Sequence, residues 1–463
     1  MNDISEIGQI DITNHIHSQT ILKKHEKLGP LVIEKGEGVY VYDEHGKAYI
    51  ESMAGLWCAS LGFSDKRLAE AASEQLNVLP YYHTFNHRTN NVVSKLSEEI
   101  ASIAPMSNSH LFFANSGSEA NDSMIKMAWN YFIAKDQKEK RKVISHEKGF
   151  HGSTIAGASM SGLPHMHEAF GLPMDWNIYV QAPHYYRSGR ACETEEQFTQ
   201  RLIEDLEATI EREGADTIAA FIAEPIMGAG GVVTPPKGYF EKVQQVLKKN
   251  DILLLSDEIV CGFGRTGHWF GCQLYNFVPD MLVCAKGLTS GYAPMSCVIV
   301  SEQVYSEIAR YGDDSKVFGH GFTYSGHPVS AAVALKAIQI YKEMNLPKLA
   351  SNLGNYLHDK LSLLESHPLI GEIRGAGHGF VAGLEIVQDK RTKFPFSPST
   401  NVGGKIEAAC RLHGLIVRNM GDVIALCPPY VITSTEIDTL VEKLTISLDL
   451  VWNEVAESKE KGE

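Results

Sequence analysis

Four apolar runs between residues 63 and 341 constrain the fold of this chain more than any other feature. They are Thr217–Glu224 (TIAAFIAE), Ile252–Asp257 (ILLLSD), Met281–Lys286 (MLVCAK) and Ser296–Val300 (SCVIV). Each is short and nearly unbroken, as expected of a parallel strand with both faces covered by helices. Between the first two lies Lys237–Asn250 (KGYFEKVQQVLKKN), whose apolar positions 240, 243, 246 and 247 form one helical face. Strand, helix and strand repeated in this way indicate an α/β domain with a mainly parallel sheet.

The pattern changes at both ends of the chain. Gly38 to Glu51 (GVYVYDEHGKAYIE) reads as a hairpin turning at DEHG, and the polar residues before it read as an arm. After Pro347 a helical stretch (Leu349–Leu364) leads into the Gly-punctuated strand pair GEIRGAGHGFVAGLEI. A helix (Val402–His413), short strands near 415 and 424, and a C-terminal helix (Ser434–Val455) complete it. The expected organisation is an arm and hairpin (1–62), a large α/β domain (63–341) and a small α+β domain (342–463) with which the arm packs.

Composition narrows the function. The 463 residues carry a formal charge of −14, which argues against a nucleic-acid binder. No apolar run approaches the ~18 residues of a membrane span, and the start has neither the basic nor the apolar region of a secretory signal. The eight cysteines form no CxxC pair, so a reducing, cytoplasmic setting is expected. His165 and His167 flank Met166 with no third ligand at a useful spacing, and no metal site is expected. MGAGGV (227–232) lacks the GxGxxG spacing of a dinucleotide loop.

The chemistry concentrates where apolar runs end. Asp257 closes the second run, either as a cap for the following loop or as the partner of a protonated ring nitrogen or a metal. Lys286 closes the third, either snorkelling out of a strand end or serving as a desolvated amine able to condense with a carbonyl. A buried acid and a buried lysine on successive strands suit pyridoxal phosphate, whose ring nitrogen and aldehyde need such a pair. Asn115–Asp122 leads from small residues into a helix. Ser116, Gly117 and Ser118 there make either a plain capped helix or an anion cradle. In GFHGSTIAGASMSG (149–162), Phe150 is either a loop anchor or a stacking surface for a flat cofactor.

Taken together these segments resemble the class III (omega) aminotransferases, within the fold-type I pyridoxal-phosphate enzymes. NSGSEAND, FHGST, EPIMGAGG, SDEIVCGFGRTG, AKGLTSGYAPM, HGFTYSGHP and VRNMGDVIALCPP stand in the order and approximate spacing of that family over nearly the whole chain. The nearest subgroup is the pyruvate-dependent amine transaminases, including taurine–, β-alanine– and polyamine–pyruvate enzymes. The resemblance implies that Lys286 is the Schiff-base lysine, Asp257 the ring-nitrogen partner and Ile259 the side chain on the ring's other face. It implies that Ser116, Gly117 and Ser118 form the phosphate cup, with Phe150, His151 and Glu224 also on the cofactor. Thr323 is implied to reach a neighbouring subunit's phosphate, giving a homodimer with shared sites, or a tetramer of such dimers. Trp57, Phe85, Phe150 and Arg418 are implied to bind substrate, Arg418 by pairing with a carboxylate. Many relatives have Tyr where Phe150 stands, so a hydroxyl is lost here.

The implied reaction moves an amino group from a primary amine or omega-amino acid to a keto acid, pyruvate by preference, in two half-reactions. Lys286 then carries a proton as base and as acid. The same fold also serves decarboxylases, racemases and aminomutases, and a non-catalytic scaffold is a further alternative. The carboxylate contact at Arg418 favours transamination, and the intact Lys286 and Asp257 disfavour a scaffold. A nicotinamide oxidoreductase is disfavoured by the missing fingerprint.

Overall fold

A computed structural model describes residues 4–312 and 315–460. Three sheets organise it. The first holds β1 (Ile33–Glu37), β2 (Tyr40–Asp43) and β3 (Ala48–Glu51). The large sheet holds β4 (His110–Ala114), β5 (Lys142–His146), β6 (Asn177–Val180), β7 (Ile218–Ala223), β8 (Leu253–Asp257), β9 (Met281–Cys284) and β10 (Ser296–Val300). Near the C-terminus lie β11 (Ile370–Arg374), β12 (Ala382–Ile386), β13 (Leu415–Ile416), β14 (Arg418–Asn419) and β15 (Val423–Leu426).

The large sheet has the order β4-β10-β9-β8-β7-β5-β6. The four apolar runs are its strands β7 to β10, and every residue of those strands is buried. From β9 to β6 neighbours run parallel. β10 departs from the parallel expectation and is antiparallel to both β9 and β4. The connection 285–295 explains this: a parallel crossover needs a dozen or more residues, usually a helix, whereas an antiparallel return does not. The helix expected over 237–250 forms as Tyr239–Lys249 and buries Tyr239, Phe240, Val243, Val246 and Leu247.

The hairpin forms as β2 and β3, with Tyr40 opposite Ile50. β1, which the sequence pattern did not suggest, adds to it antiparallel to β2. β13 pairs parallel with β3, Leu415 opposite Ile50, so the two ends of the chain share one sheet. β11, β12, β15 and β14 make the third sheet. Ahead of the hairpin are two helices, Glu6–Asn14 and Leu22–Leu28. Among the described residues no helix is long and apolar enough to cross a membrane.

The topology creates the site. β4, β5, β7, β8 and β9 all end on one edge of the large sheet, which brings the segments after them together. Those segments carry Ser116, Phe150, Glu224, Ile259 and Lys286.

Candidate active site

A cavity of about 1030 Å³ opens at that edge. Its walls include Trp57, Ser116, Gly117, Ser118, Phe150, His151, Glu224, Asp257, Ile259, Lys286 and Arg418. Eleven of the thirteen residues proposed from sequence therefore meet in one place. Phe85 and Thr323 do not line this cavity. Phe85 is exposed and packs beside Gly321, and the exposed Thr323 accepts a hydrogen bond at its carbonyl from Tyr81 at 2.8 Å.

Asp257 ends β8 and is buried. Its Oδ2 accepts hydrogen bonds from Asn121 Nδ2 and His151 Nδ1, each at 2.8 Å, and its Oδ1 accepts from the Ile259 amide at 3.1 Å. The carboxylate is thus fixed from three directions, which offsets part of the cost of burying it. His151, which the resemblance implies lies on the cofactor, lines the cavity and bonds Asp257 through its Nδ1. Asn121 was not anticipated. It is fully buried on the helix Gly117–Ala134 and also donates to the His151 carbonyl at 2.8 Å. An Asn among apolar neighbours on a helix's buried face was the signal available in the sequence.

Lys286 follows β9 in a left-handed backbone conformation, φ +42°, unusual for a side chain that is not glycine. It faces the cavity while protein surrounds it on the remaining sides. Burial pushes its ammonium below the usual lysine range, partly opposed by Cys58, Asp257 and Glu224, and Arg418 adds to the lowering. A lysine so placed reaches its nucleophilic form more readily.

The turn before the helix Gly117–Ala134 is an anion cradle in its geometry. Ser116 caps the helix, accepting from the Glu119 amide at 3.2 Å, and Ser118 Oγ accepts from the Ser153 amide at 3.0 Å. A Cβ on Gly117 would fall 2.5 Å from Ile259 Cδ1, and one on Gly152 would fall 2.7 Å from Ser118 Oγ. A side chain at Gly152 would press on the Ser118 backbone, and one at Gly117 would have to displace the Ile259 side chain, so both positions stay open beside the helix N-terminus.

Glu224 acts on the protein around the site. Its carboxylate accepts from the Phe150 amide and the Gly228 amide, each at 2.9 Å, tying the Phe150 loop to the Gly-rich segment after β7. Burial raises its pKa to about 7, against the pull of His151. Ala229 and Gly230 of that segment line the cavity, so MGAGGV is a wall of this site. His165 also lines it, while His167 turns away to the Ala158 carbonyl at 2.9 Å, which separates the pair as potential ligands. Trp57 is buried and adopts φ +64° in the irregular turn after β3. Glu51 holds that turn by accepting from the Gly55 amide, and burial raises it to about 7. Ser18 and Gln19 of the N-terminal arm complete the rim.

A cavity with an amide cradle, a fixed carboxylate and a lysine at successive strand ends fits a planar, phosphorylated, cationic-ring aldehyde. His151 Nε2 and Asn121 Oδ1 stay buried without a hydrogen-bond partner in the chain, leaving polar atoms beside Asp257 for such a group. The family model for aminotransferase class-III matches residues 21–448. The chain belongs to the class-III aminotransferases. Similar curated proteins include the chloroplastic gamma aminobutyrate transaminase 3 of Solanum lycopersicum, 46% identical over 93% of this chain and 83% of its own length. The vanillin aminotransferase of Capsicum chinense is 45% identical over 89% of this chain and 90% of its own length. The omega transaminase from Pseudomonas jessenii in complex with PMP superposes with TM-score 0.96 and 44% identity, over 98% of this chain and 99% of that one. A PMP-bound aminotransferase from Vibrio fluvialis gives TM-score 0.95 and 40% identity, over 98% and 100%. This class-III aminotransferase has the fold of the fold-type I enzymes, uses pyridoxal phosphate and transfers amino groups from amines to keto acids.

Proposed function

We propose that this class-III aminotransferase takes primary amines and omega-amino acids as donors and pyruvate as acceptor, releasing alanine. The observation that carries the reading is Arg418. It stands on β14 at the cavity wall, half-buried, and among the described residues its guanidinium makes no ion pair or hydrogen bond. Burial lowers its pKa, with Glu407 opposing. A guanidinium held there without a partner suits the carboxylate of pyruvate, which it can bind through two parallel hydrogen bonds. Trp57, Phe150 and Leu163 add apolar surface to the lining, which suits an uncharged donor. The curated relatives named for gamma-aminobutyrate and vanillin support a pocket that accepts both acidic and aromatic substrates.

The residues divide the work. Asp257 would hold the protonated ring nitrogen of pyridoxal phosphate, Ser116, Gly117 and Ser118 its phosphate, and Phe150 and Ile259 its two faces. Bound there, the cofactor supplies an electron sink for the bond to the donor's α-hydrogen. Lys286 would hold the cofactor's aldehyde carbon, and its amine is the group placed to take the proton from the donor's α-carbon and give it back later in the reaction. His151 and Asn121 keep the Asp257 carboxylate in place, and Glu224 keeps Phe150 in place. Trp57 and Phe150 exclude water from the donor.

Thr323 and Phe85 lie outside this chain's cavity, which supports a homodimer in which each chain lends them to the other site. Val317, Phe318 and Tyr324 are exposed near Thr323, an apolar surface suited to burial against a second copy. We further infer the division 1–62, 63–341 and 342–463, the large sheet lying within the middle part while the arm and hairpin pack with the C-terminal part through the sheet they share. Eight free cysteines support a reducing compartment, the cytoplasm.

The test is alanine formation from pyruvate across donors: γ-aminobutyrate, taurine, β-alanine, a diamine and an aromatic methylamine. Arg418→Ala should raise KM for pyruvate far more than KM for the uncharged donor. Equal losses would remove the carboxylate-binding reading. Donor alone should release one aldehyde per site and no carbon dioxide, whereas a decarboxylase would release carbon dioxide repeatedly.

A further inference from the structure

We propose that Asp11, His15, His17 and His25 form a binding site for a divalent transition-metal ion of the zinc type, which staples the N-terminal arm beside the active cavity. Three imidazoles converge on one carboxylate. His15 Nδ1 lies 3.1 Å from Asp11 Oδ1, and His17 Nε2 and His25 Nε2 lie 2.7 and 3.0 Å from Asp11 Oδ2. The ligating atoms of Asp11, His15 and His17 all fall within 4.8 Å of one another. The His17 ring centroid is 4.0 Å from that of His25 and 4.6 Å from that of His15.

The local structure explains the convergence. Asp11 sits in the last turn of the helix Glu6–Asn14 and His15 is its C-terminal cap, so the two share a face at i and i+4. His17 follows in the connection, and His25 comes from the next helix, Leu22–Leu28. Zinc bonds to imidazole nitrogen and carboxylate oxygen at ~2.0–2.2 Å in a tetrahedron, which puts neighbouring donor atoms about 3.3 Å apart. The distances from Asp11 to the three nitrogens are close to that spacing; His25 lies outside the 4.8 Å cluster of the other three and must swing toward His15 to close the tetrahedron. Three nitrogens and one oxygen suit zinc, cobalt or nickel and are a poor set for calcium or magnesium. The side chains of His25, Asp11 and His17 are 10%, 20% and 27% exposed while that of His15 is 66% exposed, which shelters three ligands and leaves an entry path through the fourth.

The arm has little else to hold it within the chain. Its first helix buries Gly8 and its second buries no residue. A short segment without an apolar core is where a metal crosslink has most effect. Ser18 and Gln19 lie between His17 and His25, and both line the active cavity. A metal held by the histidines on either side would therefore fix the rim of the substrate pocket. The sequence reading, which weighed His165 with His167, expected no metal; these four residues come together only through the turn between the two arm helices.

The experiment uses the holoenzyme after chelator treatment and dialysis, titrated with zinc chloride by calorimetry. One ion should bind per chain at micromolar concentration or tighter. Asp11→Asn combined with His17→Ala should weaken that binding roughly 100-fold or more, and His25→Gln alone should weaken it measurably, with circular dichroism and cofactor content unchanged. Cobalt in place of zinc should give the intense visible bands of a tetrahedral site, and zinc should slow proteolysis of the arm between the two helices. Zinc binding that is unchanged in both variants, or a cobalt spectrum that stays octahedral, would overturn the proposal and assign the ion to the other surface histidines among the 19 in the chain.

Discussion

Asp257 shows how single residues set this site. Its role depends less on its own position than on Asn121 and His151, which hold one oxygen from two sides. Removing a hydrogen bond to a charged group costs about 1.5–3 kcal/mol. Asn121→Ala should therefore slow the half-reaction with amine by about ten- to a hundredfold in stopped-flow measurements, while cofactor remains bound. Asp257→Asn, which removes the charge, should slow it by further orders of magnitude. Rates unchanged in Asp257→Asn would reduce the residue to a structural cap. Lys286→Ala should abolish alanine formation while the protein stays folded. The difference between these three variants is informative, because an effect on the acid's orientation, its charge and the amine should rank in that order.

Elements, rather than residues, bring the site together, and Glu258 illustrates how one strand end is secured. It is fully buried beside Asp257 and accepts from the Gly271 and Cys272 amides, each at 2.7 Å, pinning the end of β8 to the start of the helix Gly271–Leu274. Burial raises its pKa from 4.5 to about 7. The folded state thus binds a proton that the unfolded state releases over that range. This stabilisation is complete below about pH 4.5 and is lost as pH rises through about 7, a change of up to about 3 kcal/mol. Glu258→Gln should flatten that slope, read as a smaller loss of denaturation midpoint between about pH 5 and pH 8 than in the unmodified enzyme. A slope identical to that of the unmodified enzyme would mean that the carboxyl stays ionised. The elements legible in the sequence were those buried on both faces. β7, β8, β9 and β10 announce themselves as apolar runs; β4, at one edge, carries the run Leu111–Ala114 but is only half-buried over its first part, and β6, at the other edge, is half-buried over most of its length. The reversal of β10 was not legible because an apolar strand reads the same in either direction. At the site, residues at strand ends were found, while Asn121, Glu51 and the arm residues Ser18 and Gln19 were missed. Asn121 acts through His151 and Asp257, and Ser18 and Gln19 reach the cavity, through contacts far apart in sequence; Glu51 acts locally, on the Gly55 amide of an irregular turn that no simple pattern announces.

At the scale of the whole molecule, the placement of Thr323 decides whether one chain makes one complete site. The residue is exposed and does not line the cavity of its own chain, and the neighbouring Tyr324 is 58% exposed. If two copies share their sites, Thr323 of one chain serves the phosphate cup of the other, and Thr323→Val should weaken retention of pyridoxal phosphate. Mixing then separates the possibilities. The Thr323→Val chain keeps its own Lys286, and the Lys286→Ala chain keeps its own Thr323. In a mixed dimer one site combines the intact lysine of the first with the intact threonine of the second, while the other site has neither. Random exchange at equal amounts makes half of the dimers mixed, each with one intact site of two, so roughly a quarter of full activity should appear at limiting cofactor. If Thr323 instead serves its own chain, no combination pairs an intact lysine with an intact threonine. The mixture would then show no more than half the activity of the Thr323→Val enzyme alone. Subunit exchange must be verified by mass, since unmixed dimers give the same negative result. With exchange complete, absence of the extra activity would place the whole site within one chain and leave the exposed apolar face around Thr323 to a different contact.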